Sequence, residues 1–296
     1  MPVRTRSCST SSAVPTACRA LAVLALIATA GCGAADRDDA PPPVATALHA
    51  ELSDFGTAPA VRSGPSRREP GTTWLTFRSV LGGRVPAYLV EPRGDGPFAA
   101  VVFQHGRLGN RSQFLGEARH LRAHGIASLL LDAPWARPHG RRILTGRTSD
   151  ALTLRQTALD ELRGLDLLGD RPEIDPRRLG VMGFSLGAIA SAAVLGVDHR
   201  IRCGVLASAG ARLAPLLQRF GGARYLRALS AFDPIRWIGG ATARLLVQNG
   251  AADRDFPAYD ALARGRSDGV MYRAGHTLNA HAVADRERWL EGCLAP

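Results

Sequence analysis

The chain has 296 residues, 46% hydrophobic and 21% charged, a globular balance with enough length for one large α/β domain and an extension. Its formal charge of +11 comes entirely from arginine, since lysine is absent, and removing residues 1–31, which carry Arg4, Arg6 and Arg19 and no acid, leaves +8. The arginines form no run long enough to make a patch, and no reading motif or aromatic platform accompanies them, so charge alone does not make nucleic acid a partner.

At the N-terminus, Arg4, Arg6 and Arg19 precede the apolar stretch Ala20–Ala30. That stretch is too short to cross a bilayer as a mature helix and has the length of a signal-peptide core, so residues 1–31 are expected to direct export. Thr29-Ala30-Gly31-Cys32 follows and resembles a bacterial lipobox, with Thr29 where that pattern usually has leucine. The resemblance implies lipidation of Cys32 and a protein held to a membrane of the cell envelope. The rival reading cleaves after Ala28-Thr29-Ala30 and releases a secreted or periplasmic protein. Residues 32–70 hold Asp36, Asp38, Asp39 and Pro41-Pro42-Pro43 and read as a semi-extended tether.

Over residues 71–296 short apolar strands alternate with helical stretches, which predicts a mostly parallel eight-stranded sheet covered by helices on both faces. Residues 74–80 and 85–90 flank Gly82-Gly83 as a hairpin. Residues 99–104 form a continuous apolar run, as in a strand buried on both faces, and end at His105-Gly106. A helix over 114–124 leads to a strand over 127–131. A long helix over 149–168 has Leu152, Leu159, Leu162 and Leu165 at helical spacing, with Ser149 or Asp150 as its N-cap. The strand 179–184 runs into Ser185, and small residues open the helix behind it. Strands at 203–207, 245–248 and 270–272 and a helix over 280–290 complete the domain. The nearly forty residues between the strands ending at Ala207 and starting at Leu245 leave room for a small cap, with an ordinary crossover as the alternative. Of the five cysteines, Cys8 and Cys18 lie in the signal and Cys32 in the lipobox. Cys203 and Cys293 remain, and two small buried thiols are favoured over a bridge, which an oxidising compartment permits.

A serine hydroxyl is a weak nucleophile, and needs an exposed position, a base beside it and donors for the oxyanion it creates. Gly183-Phe184-Ser185-Leu186-Gly187, after an apolar strand and before a small-residue helix, is the G-x-S-x-G turn that supplies such exposure. His105-Gly106-Arg107-Leu108-Gly109 lies earlier, Gly250-Ala251-Ala252-Asp253 and Tyr272-Arg273-Ala274-Gly275-His276 later. In this order the four motifs resemble the α/β-hydrolase superfamily over about residues 74–293, in particular its dienelactone-hydrolase-like and acetyl-esterase-like branches. Dienelactone hydrolases proper use a cysteine nucleophile where this chain has Ser185. The resemblance implies Ser185 as nucleophile, His276 as general base, Asp253 as the acid that orients it, with Asp255 as its rival, and the backbone N–H groups of Arg107 and Leu186 as the oxyanion hole. His105 is read as a structural hydrogen-bonder.

The implied activity is cleavage of a small-molecule carboxylic ester through an acyl-enzyme, without cofactor. A serine peptidase, a thioesterase or an acyl transferase would use the same residues, and an inactive surface-anchored binding protein is the reading of another class. The remaining histidines, among them His49, His120, His124, His139 and His199, show no metal-ligand spacing with Cys or carboxylate partners, so no metal is expected. Arg107 with Arg212, Arg219, Arg224 and Arg227 is consistent with an acidic acyl group or simply with an arginine-rich composition.

Overall fold

The computed structural model describes residues 61–253 and 267–296. Residues 1–31, Cys32, His49, most of the tether and Asp255 with the neighbouring Phe256-Pro257 lie outside the described residues. Nine strands, β1 (Arg62–Pro65), β2 (Thr73–Arg78), β3 (Arg84–Val90), β4 (Phe98–Gln104), β5 (Ile126–Leu131), β6 (Ile174–Phe184), β7 (Ile201–Ala207), β8 (Arg244–Gly250) and β9 (Ser267–Tyr272), form one sheet in the order β1-β2-β3-β5-β4-β6-β7-β8-β9. The first three strands and the β3–β5 pair are antiparallel, and every pair from β5 to β9 is parallel.

The ninth strand corrects the expectation of eight. β1 is a mostly exposed edge of sequence Arg-Ser-Gly-Pro, paired with β2 from Arg62↔Thr76 to Pro65↔Thr73. It carries no apolar alternation, and proline is tolerated because an edge strand need not donate on both sides. The sheet therefore begins inside the stretch read as tether. The strands read from apolar runs behave as the physics requires: β4 and β5 are buried along almost their whole length and sit in the middle of the sheet, whereas β2 alternates, with Leu75 and Phe77 inward and Trp74 largely outward. Gly82 and Gly83 turn the β2–β3 hairpin at φ of 94° and 81°.

Helices cover both faces. On one side α1 (Leu115–Ala123) and α6 (Ala280–Cys293) pack with Val101, Phe103, Leu130 and Val205. On the other, α2 (Ser149–Gly169) and α3 (Leu186–Val197) pack with Val102, Leu129 and Val181. Within α2 the core side is formed by Leu154, Ala158, Leu159, Leu162 and Leu165, while Leu152 is exposed, against expectation. The N-cap is Thr148. Asp150 is instead buried and accepts from Thr145 N and Oγ1, both at 2.7 Å, closing the preceding loop.

Between β7 and β8 lie the short helices α4 (Ala214–Leu217) and α5 (Ala223–Leu229) and three 3-10 turns. Leu213, Leu216, Leu217, Tyr225 and Leu229 join the same core as α2 and α3, so this segment is built into the body of the domain. Cys203 and Cys293 form a disulfide, with Cα atoms 6.2 Å apart, in place of the two thiols favoured from sequence. The parallel sheet brings the end of α6 back over β7, a proximity that the 90-residue separation conceals. Among the described residues no helix is long and apolar enough to cross a membrane.

Candidate active site

Strand β6 ends at Phe184 and α3 starts at Leu186, so Ser185 alone makes the turn, with φ 55° and ψ −120°. A non-glycine residue at positive φ is uncommon and persists only where its surroundings hold it. Here Ser185 N donates to Ala207 O at 2.8 Å, and Ser185 O accepts from Ile189 N at 3.1 Å. The flanking glycines are demanded by contact. A β-carbon on Gly183 would lie 2.6 Å from Ala188 Cα and from Ser191 Oγ, and one on Gly187 would run into the carbonyl oxygens of Gln104 and His105. The G-x-S-x-G pattern is thus the sequence imprint of a helix start pressed between its own strand and the end of β4.

The structure brings Ser185 together with His276 and Asp253, from three separate stretches of chain. His276 Nε2 is 2.8 Å from Ser185 Oγ, and its Nδ1 is 2.8 Å from Asp253 Oδ2. The carboxylate at Nδ1 assigns the proton to that nitrogen, which leaves Nε2 to accept from the serine hydroxyl. Asp253 is 3% exposed and His276 39%, so the acid is sheltered while the imidazole faces the cavity. The loop carrying His276 is held by Ser208, at the end of β7. Ser208 itself has φ 53° and donates from Oγ to His276 O at 2.9 Å. Sequence reasoning missed Ser208, because nothing local marks a serine after a strand as the anchor of a loop 68 residues away.

Arg107 and Leu186 border the same cavity as Ser185 and His276. Leu186 is the first residue of α3, where backbone N–H groups have no acceptor within the helix and the helix dipole favours negative charge. The peptide joining Gly106 to Arg107 is pinned by its carbonyl, which accepts from His105 Nδ1 at 2.7 Å and from Trp135 Nε1 at 3.3 Å. His105 Nε2 accepts from Ala133 N at 2.9 Å, which assigns the ring proton to Nδ1. Burial holds the His105 imidazole below its ordinary value of 6.5, in keeping with a neutral, structural ring. A β-carbon on Gly106 would lie 3.2 Å from Ser185 Cβ, so the turn needs glycine to pass this close to the serine. Trp135 is a second residue that sequence reasoning missed.

The cavity measures about 770 Å³, within the range of small-molecule sites. Leu108, Phe114, Leu144, Phe184 and Leu278 give it apolar walls, and Leu216, Arg219 and Phe220 border it from the α4 segment. Beside it Arg286 holds Glu117 through two bonds of 2.7 and 2.6 Å, tying α6 to α1. Of the five arginines singled out from sequence, Arg107 and Arg219 line this cavity. A second cavity of about 630 Å³ shares Arg107 and Leu144 with it and adds Arg141, Arg142 and Arg147. Away from the site, His120 and His124, read without carboxylate partners in the sequence, lie beside Glu291. His120, His124 and Glu291 each place a ligand atom within 4.8 Å of the others.

No family model matches the chain. Esterase FrsA of Escherichia fergusonii is 30% identical over 125 residues, 42% of this chain and 28% of that protein. YtaP of Bacillus subtilis is 27% identical over 142 residues, 40% of this chain and 46% of that protein. The chain spans less than half the length of these curated relatives. Among solved structures, acetyl xylan esterase 1 of Thermoanaerobacterium sp. JW/SL YS485 superposes with a TM-score of 0.72 over 86% of this chain and 95% of that one, at 18% identity. The acetyl xylan esterase of Paenibacillus sp. R4 gives 0.71 over 84% and 93%, at 19% identity.

Proposed function

Starting from a chain that has the α/β-hydrolase fold, we propose that it is a serine hydrolase cleaving a small-molecule carboxylic ester through an acyl-enzyme. The observation that carries this reading is His276 standing 2.8 Å from both Ser185 Oγ and Asp253 Oδ2 beside an open cavity. Ser185 Oγ attacks the acyl carbon as its proton passes to His276 Nε2, and the N–H groups of Arg107 and Leu186 take the charge that gathers on the carbonyl oxygen. His276 then protonates the departing alcohol. Water enters, gives a proton to the same nitrogen and attacks the acyl-enzyme, and Ser185 recovers its proton as the acid leaves. Throughout, the Asp253 carboxylate holds the imidazole in the required tautomer and stabilises its protonated form.

The name of the esterase among the sequence relatives supports an ester over an amide or thioester. Labelling by a fluorophosphonate is the test: the native protein reacts and Ser185→Ala does not. A native protein that stays unlabelled overturns the enzyme reading in favour of a binding protein. The arginine-lined cavity that shares Arg107 with the site favours substrates carrying an acid group. A panel of neutral and anionic nitrophenyl esters, thioesters and anilides ranks these classes, and equal rates on neutral and anionic esters remove the preference for an acid.

We also propose that the protein is exported and anchored by a lipid on Cys32, a reading supported by Arg4, Arg6, Arg19, the apolar Ala20–Ala30 stretch and Thr29-Ala30-Gly31-Cys32. Cys32→Ala should move the protein out of the membrane fraction, and unchanged fractionation overturns the anchor.

A further inference from the structure

Helices α1 and α6 pack against each other on one face of the sheet, and their solvent-facing border carries two matched pairs of side chains. His120 on α1 and His124 directly after it are one turn apart, and their rings stack with centroids 4.5 Å apart. Glu287 and Glu291 are one turn apart on α6. Residues four apart in a helix project from the same face, so each pair presents both of its members to the other. His120 Nε2 lies 2.7 Å from Glu291 Oε1, His124 Nδ1 lies 3.4 Å from that same oxygen, and His120 Nδ1 is 4.0 Å from Glu287 Oε2.

We propose that His120, His124 and Glu291 bind a divalent transition metal of the zinc class, with Glu287 as a neighbouring carboxylate. Two imidazole nitrogens and one carboxylate oxygen form a donor set that suits zinc, cobalt, nickel or copper and discriminates against magnesium and calcium, which take oxygen donors. The three donor atoms already lie within 4.8 Å of one another. Donors bound to one zinc at about 2.0–2.2 Å stand roughly 3–3.5 Å apart, so side-chain rotations that also release His124 Nδ1 from the His120 carbonyl, now 3.0 Å away, complete the site. Both histidines are exposed, which gives an ion a way in and lets water fill the remaining coordination position. The bound metal would join the helix pair already tied by Glu117 and Arg286, acting as a structural clamp between α1 and α6. It requires no part of the Ser185 chemistry.

The test is zinc titration of the full-length, disulfide-intact protein by calorimetry and thermal melting, beside His120→Ala/His124→Ala and the milder Glu291→Gln. The expected result is one zinc per chain and a Tm rise of roughly 5–10 °C with zinc at 100 times its Kd. Magnesium and calcium should give no rise, and cobalt should show the visible absorption of a low-coordinate site. The double variant should lose the tight site, with affinity at least tenfold weaker, and Glu291→Gln should weaken it as well. Zinc binding that is absent from the native protein, or equally tight in both variants, overturns the proposal and leaves the cluster as hydrogen-bonded side chains of the two helices. Far-UV circular dichroism establishes that each variant is folded. A double variant that does not fold leaves the decision to Glu291→Gln.

Discussion

Trp135→Phe tests how the proposed oxyanion hole is held. The Gly106 carbonyl receives Trp135 Nε1 at 3.3 Å and His105 Nδ1 at 2.7 Å, and because a peptide is planar, fixing its oxygen fixes the direction of the Arg107 N–H. The phenylalanine removes the indole donor yet keeps an aromatic ring edge-on to His105, where the tryptophan ring now stands at 5.7 Å. A single hydrogen bond contributes about 0.5–1.5 kcal/mol, less than the ~3 kcal/mol of a whole oxyanion donor. The expected consequence is a kcat lower by roughly 2- to 13-fold, with KM changed less than about twofold, because the Arg107 amide acts on charge that develops only in the transition state. Steady-state kinetics on a nitrophenyl ester, normalised to sites titrated with fluorophosphonate, measures both parameters. An unchanged kcat, or a loss confined to KM, refutes the assignment of Arg107 as a donor positioned through Gly106.

Asp253→Asn should lower kcat by about 10⁴-fold, since an amide at that place favours the wrong tautomer of His276; a loss under tenfold, with a larger one in Asp255→Asn, transfers the role of the acid to Asp255. Replacing both Cys203 and Cys293 with Ala frees a loop of 90 residues, worth about 4–5 kcal/mol in the chain-entropy model, so the Tm should fall by roughly 10–20 °C. A double variant that melts within about 2 °C of the native protein, roughly 1 kcal/mol or less, overturns that expectation. Glu161 is fully buried in α2, accepts from Ser191 Oγ at 2.7 Å, and is pushed well above its ordinary value of 4.5, first by burial and then by the Asp160 carboxylate. The folded protein therefore keeps a proton that the unfolded chain releases above about pH 4.5, and stability falls as pH rises from there toward the folded value. Glu161→Gln keeps an acceptor for Ser191 without the proton to lose, so its Tm advantage over the native protein should grow as pH rises above about 4.5. Parallel Tm curves for the two proteins would show that Glu161 does not titrate in this way.

Much of the architecture was legible locally. The central strands β4 and β5 are enclosed on both faces, so they must be continuous apolar runs, and such a run is visible in a sequence without knowledge of its neighbours. Gly183 and Gly187 were legible for a related reason: each is packed too closely to other backbone to carry a β-carbon, and the residue type itself records that contact. The pairing of Ser185 with Asp253 and His276 was read from resemblance and order, and the structure brings those side chains within hydrogen-bond reach.

What local pattern did not carry is whatever depends on which distant segments become neighbours. β1 is a strand only because β2 offers it an edge, and Asp150 closes a loop instead of capping its helix because Thr145 lies within reach. Cys203 meets Cys293, Ser208 holds the His276 loop, Trp135 reaches the Gly106 carbonyl and Glu291 faces His120 only once the strand order is set. Residue periodicity and turn chemistry are local properties of a chain, so the sequence by itself determined the elements that carry such patterns and the bends between them. Strand order and helix packing bring together groups tens of residues apart, and these contacts, which bind the site and cross-link the fold, were decided by the tertiary structure alone.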